Sequence, residues 1–340
     1  NNILSRFSFL LAFAFVFMMS CTDPGKSSDV TEKSQGDTTN IHIRALDKKI
    51  QADSTNPDNY YQRALYYIDN KDVNKAFADI GKAIDLDNKN AGYFVALSDI
   101  YMALGKIPSC LDALKRAEEL DNKNNDALLK LAEVYLILRD YQNTFAYTKK
   151  ALDIDLVNPV AYFIRGYTYM EQGDTSLAIK SFQAAVDQDQ NYYSAYIELG
   201  VLYSALRNPV AAGYLQTAVK IEPNRPEGYY LLGLAYQEQE NISKAVETYE
   251  RLIIIDPEFK EAYYNLGYIN LVYINDFEVA VSYFSKAIAF EPKYADAYFN
   301  RGYAYELAGE ELKARSDYQK TLEIVPNYER AILGLNRLDK

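Results

Sequence analysis

The chain has few of the residues that carry chemistry: no tryptophan, one histidine and two cysteines among 340 residues. His42 is not accompanied by a nucleophile, and no serine or cysteine stands beside a candidate base. Carboxylates are abundant, but none follows the spacing of a calcium-binding loop. We therefore predict no enzymatic activity, no metal and no cofactor.

Basic residues are also in deficit, since 36 lysines and arginines face 47 acidic residues for a net charge of −11. A chain of this charge repels a phosphate backbone, which excludes nucleic acid as the expected partner. Glycine and proline are scarce, at 15 and 10 residues, while 49% of the chain is hydrophobic and 32 residues are tyrosine. This composition is too apolar for a disordered protein and predicts a folded one.

The longest apolar run near the N-terminus, from Phe9 to Met19, is too short to span a bilayer but suits an export signal. Arg6 precedes this run, and Ser20 and Cys21 follow it directly. The segment from Met18 to Cys21 resembles a relaxed bacterial lipobox, although a strict lipobox prefers leucine three residues before the cysteine. The resemblance implies cleavage after residue 20 and a lipid on Cys21. The alternative is an ordinary secretory signal with a chance cysteine.

Residues 21–40 are predicted to be a flexible tether behind the lipidated cysteine. Between Thr22 and Asn40 the sequence has one apolar residue, Val30, and no aromatic ring. A coil of this length spans roughly 25 Å. The expected location is therefore the bacterial envelope, as an outer-membrane lipoprotein anchored by its N-terminus, with the membrane face left open.

Beyond residue 40 the sequence repeats with a period close to 34 residues. Four of the repeating blocks have a proline two residues before their end, where it cannot continue a helix. Aromatic residues recur four and eleven positions into most blocks. A small residue at the eighth position marks the register: Ala64, Ser98, Ala132, Gly166, Gly200, Gly233, Gly267 and Gly302.

This pattern resembles the tetratricopeptide repeat family over residues 57–328. The resemblance implies an all-α fold, a right-handed solenoid of helix-turn-helix units in which each repeat has a helix A and a helix B. Residues 41–56 and 329–340 are predicted to be capping helices at the two ends. The eight predicted repeats are residues 57–90, 91–124, 125–158, 159–192, 193–225, 226–259, 260–294 and 295–328.

The family geometry divides the rings of helix A between the core and an open concave face. Positions 4, 7, 8 and 11 are expected to be core, which assigns Tyr298 and Tyr305 to the interior. Positions 2, 5, 9 and 12 are expected to line a partner-binding groove. The alternative is that the groove rings are buried between adjacent A helices. The predicted groove residues are Phe163, Tyr167, Tyr230, Tyr264, Asn265, Tyr268, Phe299, Asn300 and Tyr303.

Asn265 and Asn300 occupy position 6, where related peptide-binding arrays carry an asparagine that pairs with a ligand backbone. The other repeats lack it, so each residue is equally compatible with an ordinary polar surface position. The family's carboxylate clamp needs basic residues at positions 5 and 9. Those positions are apolar, aromatic or acidic here, as at Asp99 and Glu133, so a chaperone-tail adaptor is not expected.

We interpret the sequence as an envelope-anchored scaffold or adaptor that binds an unidentified protein or peptide partner in an aromatic groove. The alternative is a pilotin-like assembly factor for outer-membrane machinery, which the sequence does not separate from an adaptor. Cys110 occupies a small-residue position of its repeat and is predicted to be a buried, inert thiol.

Overall fold

The computed structural model describes residues 32–339, which belong to two compact units, Asn1–Asp189 and Gln190–Lys340. These residues form 18 α-helices and no strand, which confirms the predicted all-α class. In the first unit, called the N-terminal unit below, the helices are α1 Glu32–Ala52, α2 Pro57–Asp69, α3 Val73–Leu86, α4 Ala91–Ala103, α5 Ile107–Leu120, α6 Asn125–Ile137, α7 Tyr141–Ile154, α8 Pro159–Glu171 and α9 Thr175–Gln188. In the second unit, called the C-terminal unit below, they are α10 Tyr193–Ala205, α11 Ala211–Ile221, α12 Pro226–Glu238, α13 Ile242–Ile255, α14 Lys260–Ile269, α15 Phe277–Phe290, α16 Ala295–Leu307, α17 Glu311–Ile324 and α18 Glu329–Leu338.

The first helix corrects the predicted boundary of the tether. We expected a capping helix from residue 41, but α1 begins at Glu32, so residues 32–40 are helical. This segment contains no proline to stop a helix, and an acidic residue at its start is favourable at a helix N-terminus. The predicted signal, Cys21 and the rest of the tether lie outside the described residues.

Helices α2 to α17 form pairs joined by short turns, an A helix and a B helix in each. Within each unit a B helix also packs against the next A helix. The deepest contact of a pair lies where a large B-helix side chain meets the small residue at position 8 of helix A. A Cβ on Gly233 would lie 2.4 Å from a carbon of the Tyr249 ring, closer than real contacts allow. The small residue at this position is therefore what permits a buried ring on helix B.

The turn between helices A and B places one residue in the left-handed region in all eight pairs. Glycine fills this position three times, at Gly105, Gly173 and Gly309. The remaining pairs use larger residues there, which costs conformational energy. Those residues are Lys71, Arg139, Arg207, Glu240 and Asn275.

The repeat 260–294 is one residue longer than the 34-residue period, and the extra residue is accommodated within a helix. Helix α14 continues into a π-helical turn, Asn270–Ile274. A π-turn holds one more residue than an α-turn, so the insertion widens the helix end and leaves α15 in register. Among residues 32–339, no helix combines the length and the apolar character needed to cross a bilayer.

The left-handed turn position gives a test of the fold. Gly173 has a φ of +80°, and a methyl group on its Cα would meet no atom within 4 Å, so a Gly173→Ala change acts only on backbone conformation. We expect it to lower the free energy of unfolding by about 1 kcal/mol. The matched control is Gly81→Ala, an equally unobstructed glycine within α3, which should raise stability by roughly 0.5–1 kcal/mol. Urea unfolding measures both, and equal effects would contradict the turn assignment.

Candidate functional site

The A helices of the C-terminal unit carry three aromatic pairs, one in each of three successive repeats. In each pair, a ring at position 5 contacts the aromatic residue immediately before the next A helix. The ring centroids lie 5.1–5.3 Å apart. The pairs are Tyr230 with Phe259, Tyr264 with Tyr294, and Phe299 with Tyr328.

The second ring of each pair occupies a helix N-cap position. In the N-terminal unit, asparagine stands there: Asn56, Asn90, Asn124 and Asn158 accept a hydrogen bond from a backbone amide of the first turn. In the C-terminal unit the corresponding residues are Tyr192, Arg225, Phe259, Tyr294 and Tyr328, and none caps its helix with its side chain. A lost cap costs about 1 kcal/mol. The rings therefore replace a stabilising feature with an aromatic surface.

Sequence reasoning missed this second set of rings, because it followed only the positions within helix A. The signal was nevertheless present in the sequence. The residue before each A helix changes from asparagine to an aromatic or arginine residue at the start of the fifth repeat.

Three of the predicted groove residues are buried, which corrects their assignment to an open surface. Phe163, Phe299 and Asn300 have exposed fractions of 4%, 7% and 5%. Phe299 lies 5.7 Å from the ring of Tyr318 on its own B helix and is covered on another side by Tyr328. The burial arises mainly against helix B of the same repeat, and not between adjacent A helices as the alternative had it.

Phe163 is buried in the same way in the N-terminal unit. Its ring centroid lies 5.4 Å from that of Phe182 on helix α9, and 5.0 Å from that of Tyr167. Tyr167 itself is half-buried. These two residues therefore form a local aromatic cluster around Phe182, since Tyr167 also contacts that ring at 5.4 Å.

The two asparagines of position 6 have partners within the protein. The Asn300 side-chain amide donates a hydrogen bond to the Tyr264 hydroxyl at 2.8 Å. Asn265 hydrogen-bonds the buried Tyr249. A ladder of amides that reads a ligand backbone is thus not what these residues form. They fix the orientation of tyrosines instead.

Tyr298 and Tyr305, which we assigned to the core, are half-buried at the surface. The Arg301 guanidinium lies over both rings, 5.4 Å from the Tyr298 centroid and 6.0 Å from the Tyr305 centroid. It is held there by two hydrogen bonds to Asp317 of the B helix, the shorter at 2.7 Å. The position-4 rings of the two preceding repeats are buried as expected, so the departure at Tyr298 is not a shift of the whole register.

Tyr230, Tyr264, Tyr268 and Tyr303 remain half-buried and present part of each ring at the surface. Burial raises the pKa of Tyr264 to about 12, with the Asp296 carboxylate adding to the effect. Burial and the charge of Glu261 raise the pKa values of Tyr230 and Tyr294. Like any tyrosine, these residues are protonated at neutral pH and their hydroxyls can donate hydrogen bonds.

The A helices of the N-terminal unit present a different surface. Lys130 forms an ion pair with Asp99 at 2.6 Å, and burial raises the pKa of Glu133 to about 7. These charges distinguish this surface from that of the C-terminal unit, although one ring contact between successive A helices also occurs here, Tyr61 with Tyr93 at 4.9 Å. Cys110 is buried, and burial raises its thiol pKa to about 12, so it is unreactive as predicted. Within residues 32–339, no group of His, Cys, Asp and Glu could hold a metal ion.

Comparison with known proteins agrees with the repeat pattern. Family models described as TPR repeat or tetratricopeptide repeat match residues 57–90, 166–206, 226–259 and 269–329. The chain belongs to the tetratricopeptide repeat (TPR) family. Among curated proteins, this TPR protein is similar to anaphase-promoting complex subunit 3 of Schizosaccharomyces pombe, with 25% identity over 122 residues. The match covers 36% of this chain and 18% of that relative.

Two solved structures share the fold of this TPR protein. The C-terminal part of a TPR repeat-containing protein from Cytophaga hutchinsonii is 21% identical, with a TM-score of 0.61. The similarity covers 71% of this chain and 99% of that one. PilW, described as a type IV pilus biogenesis factor, is 20% identical with a TM-score of 0.51, over 62% of this chain and 98% of that one. At these identities the likeness establishes the fold alone.

The corrected ring assignment predicts the effect of two adjacent substitutions. Phe299→Ala empties a buried aromatic site and should lower the free energy of unfolding by roughly 3–5 kcal/mol. Tyr298→Ala, at a half-exposed ring, should cost less than about 2 kcal/mol. Urea unfolding of the full chain measures the difference, and hydrogen exchange in α16 and α17 locates it. A larger loss for Tyr298→Ala would contradict the assignment.

Proposed function

We propose that this TPR protein is a non-enzymatic scaffold or adaptor that binds a segment of a partner protein on the A-helix face of its C-terminal unit. The observation that supports the proposal is the replacement of helix caps by aromatic rings. Three successive A helices lack the capping side chain that the N-terminal unit uses, and a ring pair stands there instead. A sacrifice of stability at successive equivalent positions is typical of a functional surface.

The half-buried tyrosines suit this role. Tyrosine provides a large contact area with few rotatable bonds and a hydroxyl for hydrogen bonding. In Tyr264 the hydroxyl is held by Asn300, and the ring by stacking on Tyr294, so little side-chain entropy remains to be lost on binding. A partner segment with apolar side chains would bury the exposed parts of these rings.

The assembly-factor alternative has less support. PilW is described as a pilus biogenesis factor, but its 20% identity shows the shared fold and not the shared role. No feature of the described residues favours assembly of outer-membrane machinery over general partner binding. We therefore retain the adaptor as the proposed function.

The binding surface can be tested by restoring a cap. Tyr294→Asn removes one ring and introduces the residue that caps the A helices of the N-terminal unit. The lost ring contact and the gained cap oppose one another, so the free energy of unfolding should change by no more than about 1 kcal/mol. Affinity for a partner captured by cross-linking in envelope extracts should fall roughly tenfold or more, as for loss of a central anchor.

The matched control for this test is Tyr192→Asn, the same substitution before helix α10 and outside the three ring pairs. It should leave affinity unchanged, as measured by titration of the captured partner against the full-length variants. Wild-type affinity in Tyr294→Asn and in Tyr264→Ala would place the site elsewhere on the protein.

We propose in addition that the chain is held at a bacterial membrane by a lipid on Cys21. Support comes from the sequence of residues 1–21 alone, since they lie outside the described part of the chain. Cys21→Ala should move the protein from the membrane to the soluble fraction, or leave it unprocessed. Fractionation and mass spectrometry of the mature N-terminus measure this. An unmodified N-terminus at another residue would end the proposal.

A further inference from the structure

A cation of the chain itself occupies the last of the three ring pairs. The Arg330 guanidinium, from the second residue of α18, lies 4.7 Å from the centroid of Phe299 and 5.3 Å from that of Tyr328. Its Nη2 donates a hydrogen bond to the Tyr328 hydroxyl at 2.7 Å and lies 3.7 Å from a carboxylate oxygen of Asp296. Two rings and a carboxylate thus form a cation-binding set, and the structure shows it filled.

The preceding repeat contains the same three groups in the same register. Tyr264 and Tyr294 correspond to the two rings, and Glu261 corresponds to Asp296, the second residue of its A helix. The ring geometry is nearly the same: centroids are 5.1 Å apart with planes at 27°, against 5.3 Å and 34° for the filled set. Burial raises the pKa of Tyr294, and the charges of Glu261 and Asp296 add to this effect.

The residue that corresponds to Arg330 in this preceding repeat is Asp296, an acid where the filled set has a cation. Among the residues that the structure describes, no lysine or arginine lies over the ring of Tyr264 or Tyr294. We therefore propose that Tyr264, Tyr294 and Glu261 bind an arginine or lysine side chain of the partner segment. This inference rests on the proposed function and specifies the chemistry of the partner.

The surroundings define how such a side chain would approach. The Lys260 Nζ lies 3.8 Å from a Glu261 oxygen but is engaged at 2.5 Å with Glu291. The Arg330 charge acts on the Tyr264 hydroxyl from the side of α18. A partner cation would therefore pair with Glu261, since Asp296 is already engaged by Arg330.

The first ring pair, Tyr230 with Phe259, is a weaker candidate for binding a partner cation. Tyr230 and Phe259 are accompanied by Glu227, but an arginine already lies 3.1 Å from this carboxylate. That arginine is Arg225, whose guanidinium stacks 4.2 Å from the Tyr193 centroid. The carboxylate is thus neutralised from within the chain.

The charge of the C-terminal unit favours a basic partner. Residues 190–340 contain 21 acidic and 15 basic residues, a net charge of −6. Opposite charge raises the rate of encounter and selects against acidic segments. Cation–π attraction then adds to the ion pair where the rings exclude water.

The test uses a fluorescein-labelled nonapeptide of leucine, alanine and serine with one central arginine, and the full-length protein. The comparison peptide carries citrulline, which keeps the shape of arginine without its charge. We expect the arginine peptide to bind at least about fivefold more tightly at low salt. Glu261→Gln should remove most of this preference. Glu258→Gln removes one charge from the loop before α14 and should preserve it.

Removal of Arg330 provides a second, independent test, because it should increase peptide binding. Arg330→Gln should empty the set formed by Phe299, Tyr328 and Asp296, so that a peptide with two arginines binds several-fold more tightly than to the wild type. Equal binding of the arginine and citrulline peptides, or no binding of either, would overturn the inference. So would equal losses in Glu261→Gln and Glu258→Gln, because general electrostatics would then explain the preference.

The two proposals fail in different ways. If the arginine and citrulline peptides bind equally and Tyr294→Asn weakens both, the ring surface binds peptides without reading charge, and only the cation inference is lost. If Tyr294→Asn leaves the affinity of a captured partner unchanged, the proposed function itself is lost.

Discussion

The close approach of the two helices within each repeat is the constraint on which the rest of this structure depends. A ring such as Tyr249 or Phe284 reaches the backbone of the facing A helix only because Gly233 or Gly267 has no side chain there. A methyl group at either site would overlap the ring, and a packed interior absorbs such overlap poorly. This contact fixes the rotation of helix A about its axis. The rotation in turn decides which rings of helix A contact the facing helix B, as Phe299 does with Tyr318.

The residue before each A helix shows a second use of the same scaffold. In the N-terminal unit this residue is an asparagine that satisfies an otherwise unpaired amide of the first helical turn. In the C-terminal unit the helices still form without such a cap, since their buried faces supply most of their stability. The position is thereby free to carry a ring. Packing within the repeats makes the loss of a cap tolerable at successive helices.

Aromatic rings in this protein also organise its charges. Arg301 bridges two surface tyrosines while it pairs with Asp317, and Arg330 covers a ring pair beside Asp296. A guanidinium suits both tasks because it is planar and can stack while it donates hydrogen bonds at its edge. Glu227 at the first ring pair is likewise paired with an arginine, whereas Glu261 at the second has only a lysine at 3.8 Å. Local differences in pairing therefore distinguish repeats that are otherwise built alike.

The repeat period, the helical class and the inert cysteine followed from the sequence, because each depends on local pattern alone. A small residue every 34 positions and the apolar periodicity between them determine where helices begin, turn and pack. The left-handed turn residue could not be recognised as easily, since five of its eight occupants are not glycine. Propensity identifies a glycine turn, but tertiary packing imposes the same conformation on Arg139 or Glu240.

The tertiary structure decided which rings are buried and which partners the asparagine amides have. Tyr298 and Phe299 are adjacent in sequence and equally apolar, and only the position of the neighbouring B helix ring and of Tyr328 makes Phe299 the buried one. Asn300 finds its partner 36 residues earlier, on Tyr264. Contacts between residues one repeat apart depend on how the repeats stack, and a periodic sequence specifies that they stack without specifying which side chains meet.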